Sequence, residues 1–172
     1  MYPYSILPLK CNNLPIELQT AKRYLKIDHD YDDELLKMFI SAVGCKCETY
    51  TGLSLLSRKW HAQYNEAYNE QLSIPVRPIQ HIDKIEAYAA GTSKEISPKF
   101  FSLNGNVVKF IVAPPLGNIH IYFTAGFGES SQDIPADLSL IMLEHLAELY
   151  ENRNLKSNFN MERYNDFRIF KI

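Results

Sequence analysis

Apolar side chains recur along the chain in two rhythms, and the changes between them mark out the elements. Between about Pro15 and Ile27, Leu18, Ala21 and Leu25 fall at i, i+3 and i+7, which predicts a short amphipathic helix with Pro15 in its first turn. A second helix follows. Asp30 offers its N-cap, Asp32, Asp33 and Glu34 charge its first turn, and Leu35, Leu36, Phe39, Ile40, Ala42, Val43 and Cys47 form a broad apolar stripe that Gly52 ends. From about Ser57 to Thr124 the rhythm shortens to β-branched and aromatic runs: Trp60 to Tyr64, Leu72 to Ile74, His81 to Tyr88, Phe100 to Leu103, Val107 to Val112 and Ile119 to Thr124. Prolines and glycines punctuate these runs, and Asn104-Gly105 is the strongest hairpin signal, so a small antiparallel sheet is expected. The helical rhythm returns at Asp133-Ile134-Pro135, with Leu138, Ile141, Met142, His145, Leu146 and Leu149 on one face to about Asn152.

The last stretch, Asn154 to Ile172, has neither rhythm. It sets Phe159, Tyr164, Phe167 and Phe170 among Asn, Arg and Lys, is mildly basic, and reads as an arm that orders against something else or a terminus packed on its own domain. The expected fold is therefore α+β, with an N-terminal helix pair (14–52) and a C-terminal helix (134–153) packed together and a β-rich segment (57–124) inserted between them. Residues 1–153 are expected to form one domain, with 154–172 as the arm.

Composition narrows the function. The chain has 172 residues, 46% hydrophobic and 22% charged, which is ordinary globular usage with enough apolar material for a core. Eighteen Lys plus Arg against twenty Asp plus Glu leave a net charge of −2, unlike the basic balance of a dedicated DNA reader. No run is long and apolar enough for a membrane span, and the first residues lack the pattern of a signal peptide, so no membrane role is expected. Three cysteines, with Cys45 and Cys47 pointing to different faces of one helix, fit a reducing compartment.

Candidate chemistry is sparse. Asp28-His29-Asp30-Tyr31-Asp32-Asp33 begins like a calcium loop, but Asp33 stands where the sharp turn needs Gly and Phe39 where a bidentate Glu is needed; helix capping accounts for the same acids. Cys45-x-Cys47 is too tight for a zinc knuckle and has no second ligand pair. The five histidines, His29, His61, His81, His120 and His145, form no metal-type spacing; His120, between Ile119 and Ile121, is expected to face solvent, and His145 to be half-buried or at an interface. Gly126-Phe127-Gly128 is separated from the next helix by polar residues and a Pro, with no Lys-Ser or Lys-Thr, and reads as a loop. No catalytic residue, metal ligand or cofactor is assigned, and the chain is not expected to be an enzyme. The alternatives to the reading below are a soluble bacterial protein-binding module and, ranked after it, a small metal-dependent enzyme assembled from the histidines and the Asp28 to Glu34 cluster.

Several weak motifs stand in a telling order. Leu14 to Leu25, Asp32-Asp33-Glu34-Leu35-Leu36 and Glu48-Thr49-Tyr50-Thr51-Gly52 are followed by Leu55 to Trp60 and Ile74-Pro75-Val76-Arg77-Pro78-Ile79. Then come Ile121-Tyr122-Phe123-Thr124-Ala125-Gly126-Phe127-Gly128, Ile134-Pro135-Ala136-Asp137-Leu138 and Leu149-Tyr150-Glu151-Asn152-Arg153. Over about residues 14 to 153 the chain resembles the small head-tail connector (adaptor, or possible DNA packaging) proteins of tailed phages and prophages. It departs from them at Leu53, where an Arg commonly follows the Thr-Gly, and in the extension beyond Arg153.

The resemblance implies a structural protein of the virion, at the head-tail junction, and in the host cytoplasm during assembly. It implies a homo-oligomeric ring, typically of twelve subunits, that docks beneath the portal protein and extends the channel toward the tail. DNA would pass through the lumen without sequence-specific binding, and a near-neutral charge suits that, because each neutralised phosphate adds affinity and therefore drag. Such a ring needs apolar helix faces for its neighbours as well as its core. On this reading Leu36, Phe39, Ile40, Val43, Met142 and His145 are the expected oligomer interface, and Phe159, Tyr164, Phe167 and Phe170 the anchors of an arm that docks on portal or tail-completion protein.

Overall fold

The computed structural model describes residues 1–8, 13–65, 70–89, 91–113, 117–152 and 158–168. The protein is α+β and is organised as two compact units, each assembled from stretches separated in sequence. Met1–Cys11 and Ser57–Gly126 form a β unit; Asn12–Leu56 and Phe127–Phe170 form a helical unit.

The β unit contains β1 (Ser5–Pro8), β2 (Arg58–Tyr64), β3 (Gln71–Ser73), β4 (Ile79–Ala89), β5 (Thr92–Glu95), β6 (Phe101–Asn104), β7 (Val107–Phe110) and β8 (Asn118–Ala125). They make two antiparallel sheets where the sequence suggested one, in the orders β1-β2-β8-β4-β5 and β3-β7-β6. The reason is burial. Alternation on β2 and β8 turns Trp60, Ala62, Tyr64, Ile119, Ile121 and Phe123 to one side, and that side shares a single apolar cluster with Leu72 of β3 and Val108 and Phe110 of β7. On the other side of the same strands His120 is half-exposed, as its place between two isoleucines predicted.

The β6–β7 hairpin forms, but one residue later than the Asn104-Gly105 signal. Asn104 pairs with Val107, so the loop is Gly105-Asn106, and Gly105 alone has positive φ, 60°, the pattern of a type II′ turn. Asn106 also ties the hairpin to the chain before β4. Its amide donates to Ile74 O at 3.1 Å, and Arg77 Nη2 donates to its Oδ1 at 2.7 Å.

The helical unit holds α1 (Leu18–Leu25), α2 (Asp33–Thr51) and α3 (Ala136–Glu151), with a 3₁₀ segment at Met161–Phe167. α1 starts later than the Pro15 expectation, because Glu17, its N-cap, is still extended. Pro15 instead lies across Gly44 of α2, where a Cβ would meet the proline ring at 2.8 Å, so a glycine is required for the approach. The N-cap position of α2 falls at Asp32, not Asp30, without a side-chain capping bond, and the helix ends as expected at Gly52, whose φ is 79°. α3 begins after Pro135; Asp133 closes a capping box with Ser130 on the short turn before it, its Oδ2 accepting from Ser130 N at 2.9 Å.

Candidate assembly site

α2 and α3 present their apolar faces to the interior of the helical unit. Leu36, Ile40, Val43 and Cys47 of α2 and Leu138, Met142 and Leu146 of α3 are all fully buried. This corrects the interface expectation at residue level: Leu36, Ile40, Val43 and Met142 are 0% exposed and His145 is 1% exposed within their own chain, while Phe39 is half-buried. The Leu36, Ile40, Val43 and Cys47 line of the stripe is covered from within, by α3 and by the C-terminal segment, while Leu35 and Phe39 stay half-buried and Ala42 exposed.

That segment folds back on its own unit. Asn158 N donates to Glu148 Oε1 at 2.6 Å, and Asn160 caps the 3₁₀ turn by accepting from Glu162 N at 2.9 Å. Phe159 stacks on the His145 ring, centroids 4.0 Å apart and planes within 5°. Tyr164 is fully buried, its hydroxyl 3.1 Å from His145 Nδ1, and Tyr50 Oη donates to Asn165 Oδ1 at 2.8 Å. The expected docking anchors thus divide. Phe159 and Tyr164 are engaged inside the protomer, Phe167 is half-buried, and Phe170 lies outside the described residues, as do Arg153 and Asn154 at the expected boundary of the arm.

Burial sets the electrostatics here. It pushes the His145 imidazole down to about 4, Lys46 adding to the effect and Glu148 opposing it, and it pushes the Tyr164 phenol up. At neutral pH both are therefore uncharged, and the phenol donates to Nδ1 when the imidazole carries its proton on Nε2. The Cys47 thiol is pushed up to about 12, again mainly by burial, which leaves it an inert core group. Cys45, two residues before it, is exposed.

Beside this core a groove of about 630 Å³ opens, lined among others by Cys45, Lys46, Tyr50, His145, Phe159 and Arg168. The Arg168 guanidinium lies over the Tyr50 ring, 5.1 Å from its centroid. At the other end of α2 the acidic cluster is organised by a residue that the sequence did not mark. Lys22, only 5% exposed, reaches Asp33 Oδ1 at 2.8 Å and Asp30 Oδ1 at 2.5 Å, which explains why Asp30 does not cap the helix. The signal was present, a lysine among the apolar positions of α1, but a snorkelling side chain looks the same in sequence.

The β unit has a second polar cluster that sequence reasoning separated. His61 Nε2 lies 3.1 Å from His120 Nδ1, and the His61 ring stacks on Tyr122 at 4.4 Å and 1°. Each histidine was legible as an outward residue on its strand. Their meeting depends on the β2–β8 register, Gln63 opposite His120, which no local pattern encodes.

These features define a small α+β protein whose surface offers a charged groove and exposed aromatic side chains, the means of working by contact with other chains. Residues 15–100, half the chain, match the family of the phage gp6-like head-tail connector protein, and the chain belongs to that family. A head-tail connector is a structural component of the particle, at the junction of head and tail. No curated protein is matched by the chain.

Among solved structures, the chain is similar to one in the neck of an empty gene transfer agent (GTA) particle computed with C6 symmetry. That likeness has 18% identity and a TM-score of 0.83 over 98% of this chain and 97% of that one. It is similar also to chains in the virion of the native gene transfer agent particle (18% identity, TM-score 0.81, 97% and 96%) and in the neck of the native particle computed with C12 symmetry (18% identity, TM-score 0.77, 98% and 97%). At this identity the likeness speaks for the fold, and it extends over both units.

Proposed function

We propose that the chain assembles as a closed homo-oligomeric ring of about twelve copies beneath a portal protein, and extends the DNA channel toward the tail without catalysing a reaction. One observation carries this reading: a member of the connector family matches, along nearly its whole length, a chain from a particle neck computed with C12 symmetry. The net charge of −2 supports it, since a lumen that DNA must traverse and leave should not hold phosphates.

The expected docking on portal and tail-completion proteins belongs to the same reading, with a changed choice of residues. Phe159 and Tyr164 already have partners in their own chain, so among the described anchors Phe167 is the one that remains for another protein. Removing everything from Asn154 would also uncover His145, and is therefore a poor test of docking.

Size measurement and electron microscopy of the full chain, alone and with portal protein, test the ring directly. A closed oligomer in either condition supports it. A protein that stays monomeric at high concentration and with portal present overturns it.

A further inference from the structure

The helical unit carries two complementary features at opposite ends of one helix. Between α1 and α2 the chain turns at Tyr31, which is 93% exposed. Asp30 precedes it and Asp28 stands three residues before it, both exposed, with the His29 ring 5.4 Å from the Tyr31 ring, and Asp30 keeps 88% of its side chain in water even while paired with Lys22. The result is an aromatic tip with a negative rim. At the far end of α2, the groove beside Cys45 and Tyr50 has aromatic walls in Tyr50 and Phe159, two cations in Lys46 and Arg168, and no carboxylate among its described lining residues. The groove is open to solvent, and its volume of about 630 Å³ is ample for one tyrosine side chain.

We propose that Tyr31, with Asp28 and Asp30 beside it, enters the Lys46–Arg168 groove of the next copy of this chain. The inference rests on the ring reading above and deepens it by naming the contact. Three observations favour a second copy over another protein. The charges are complementary, acidic on the tip and basic in the groove. The tip and the groove are separated by roughly 20 Å of continuous helix, at 1.5 Å per residue, so one protomer cannot bring them together. Two different patches on one chain that fit each other make a heterologous, head-to-tail contact, the kind that closes into a ring when its rotation divides the circle. Tyr is also among the residues that dominate interface energies, because a large rigid ring is buried at little entropic cost.

Cys45 provides the test, since it is exposed and lines the groove. In the full chain carrying Tyr31→Cys, mild oxidation should give a ladder of covalent multimers, because a disulfide requires the two Cα atoms to come within about 7 Å. Adding Cys45→Ser should abolish the ladder. Tyr31→Ala and Lys46→Glu should each weaken association about tenfold, and Asp28→Lys should restore part of what Lys46→Glu loses. Both positions are exposed, so unchanged circular dichroism is the control for folding.

A ring that forms normally in Tyr31→Ala, with no cross-link in Tyr31→Cys, overturns this pairing and leaves the ring reading standing. A cross-linked product that stops at the dimer overturns the head-to-tail sense. Absence of any oligomer or cross-link, with or without portal protein, overturns both the pairing and the ring.

Discussion

The two units of this chain are held together by different means. In the β unit the described interior is an apolar cluster, and its one buried hydroxyl of note, that of Tyr64, donates to Ser73 O at 3.0 Å. Among the described residues, the buried polar side chains Lys22, Thr51, Ser54 and His145 all lie in the helical unit. Each has a partner: Lys22 its two aspartates, Thr51 the Cys47 carbonyl at 2.7 Å, Ser54 the Leu56 carbonyl at 3.1 Å and His145 the Tyr164 hydroxyl. Apolar packing stabilises in proportion to volume and tolerates many sequences, whereas a satisfied polar network favours one arrangement and fails when one atom is removed. The β unit should therefore respond to lost volume, and the helical unit to lost partners and to protons.

Loss of volume has the larger expected effect. Phe123 is fully buried and stacks on Trp60, centroids 6.4 Å apart and planes within 11°. Phe123→Ala should cost about 3–5 kcal/mol, as truncation of a buried aromatic ring generally does. Trp60 is the sole tryptophan, so its fluorescence in a urea titration reports on the β unit. A loss below about 1 kcal/mol would show that the cluster is loosely packed, and the contrast between the units would fall.

In the helical unit a single oxygen should matter. Tyr164→Phe keeps nearly all the buried volume but leaves His145 Nδ1 without its partner, for an expected cost of about 1–3 kcal/mol. Hydrogen exchange should rise on α3 and on 158–168, while the Trp60 signal stays as it was. Equal loosening of both units would show that they do not respond separately.

What was legible in the sequence follows the same division. β2 and β8 could be read because one face is buried and the other is not, which prints a period of two on the chain. β1 and β5 could not. They are the edge strands of their sheet, β5 is exposed at every residue, and Thr92–Glu95 is ordered by pairing with β4 and not by burial. The hairpin turn moved by one residue because Asn106 is held by side-chain hydrogen bonds to Ser73 and Ile74, a tertiary demand that the local Asn-Gly preference cannot reveal. The family was legible because several weak motifs stand in its order, although no single one is specific. The residues of contact were not, since an apolar stripe has the same period whether its own chain or a neighbour covers it. His145 and Tyr164 are 19 residues apart and share no motif, so their pairing appears only in the fold.

The smallest expected effect separates the units by pH. His145 is lowered from 6.5 to about 4 in the folded chain, so its neutral form is favoured by folding. Above pH 6.5 the folded and unfolded chains both leave it neutral and its contribution is fully present. As pH falls the unfolded chain takes up a proton that the folded chain refuses, and stability declines until the folded group itself titrates near pH 4. By pH 5.5 the loss should be roughly 1 kcal/mol. Asp30, lowered chiefly by its hydrogen bond to Lys22, acts further down, because a depressed carboxylate withdraws stability only as pH falls below its unfolded value of 3.8. His61 and His120 are lowered as well, by burial first, so the β unit also weakens on the acid side; both remain half-exposed, which keeps that effect small. His145→Gln keeps an oxygen acceptor for Tyr164 and removes the titration. Hydrogen exchange on α3 between pH 6.5 and 5 should then lose most of its pH dependence in the variant, with the Trp60 signal changing as in the parent. If α3 keeps the same pH dependence without His145, the proton sensitivity of the helical unit lies elsewhere, and the buried imidazole is only a packing group.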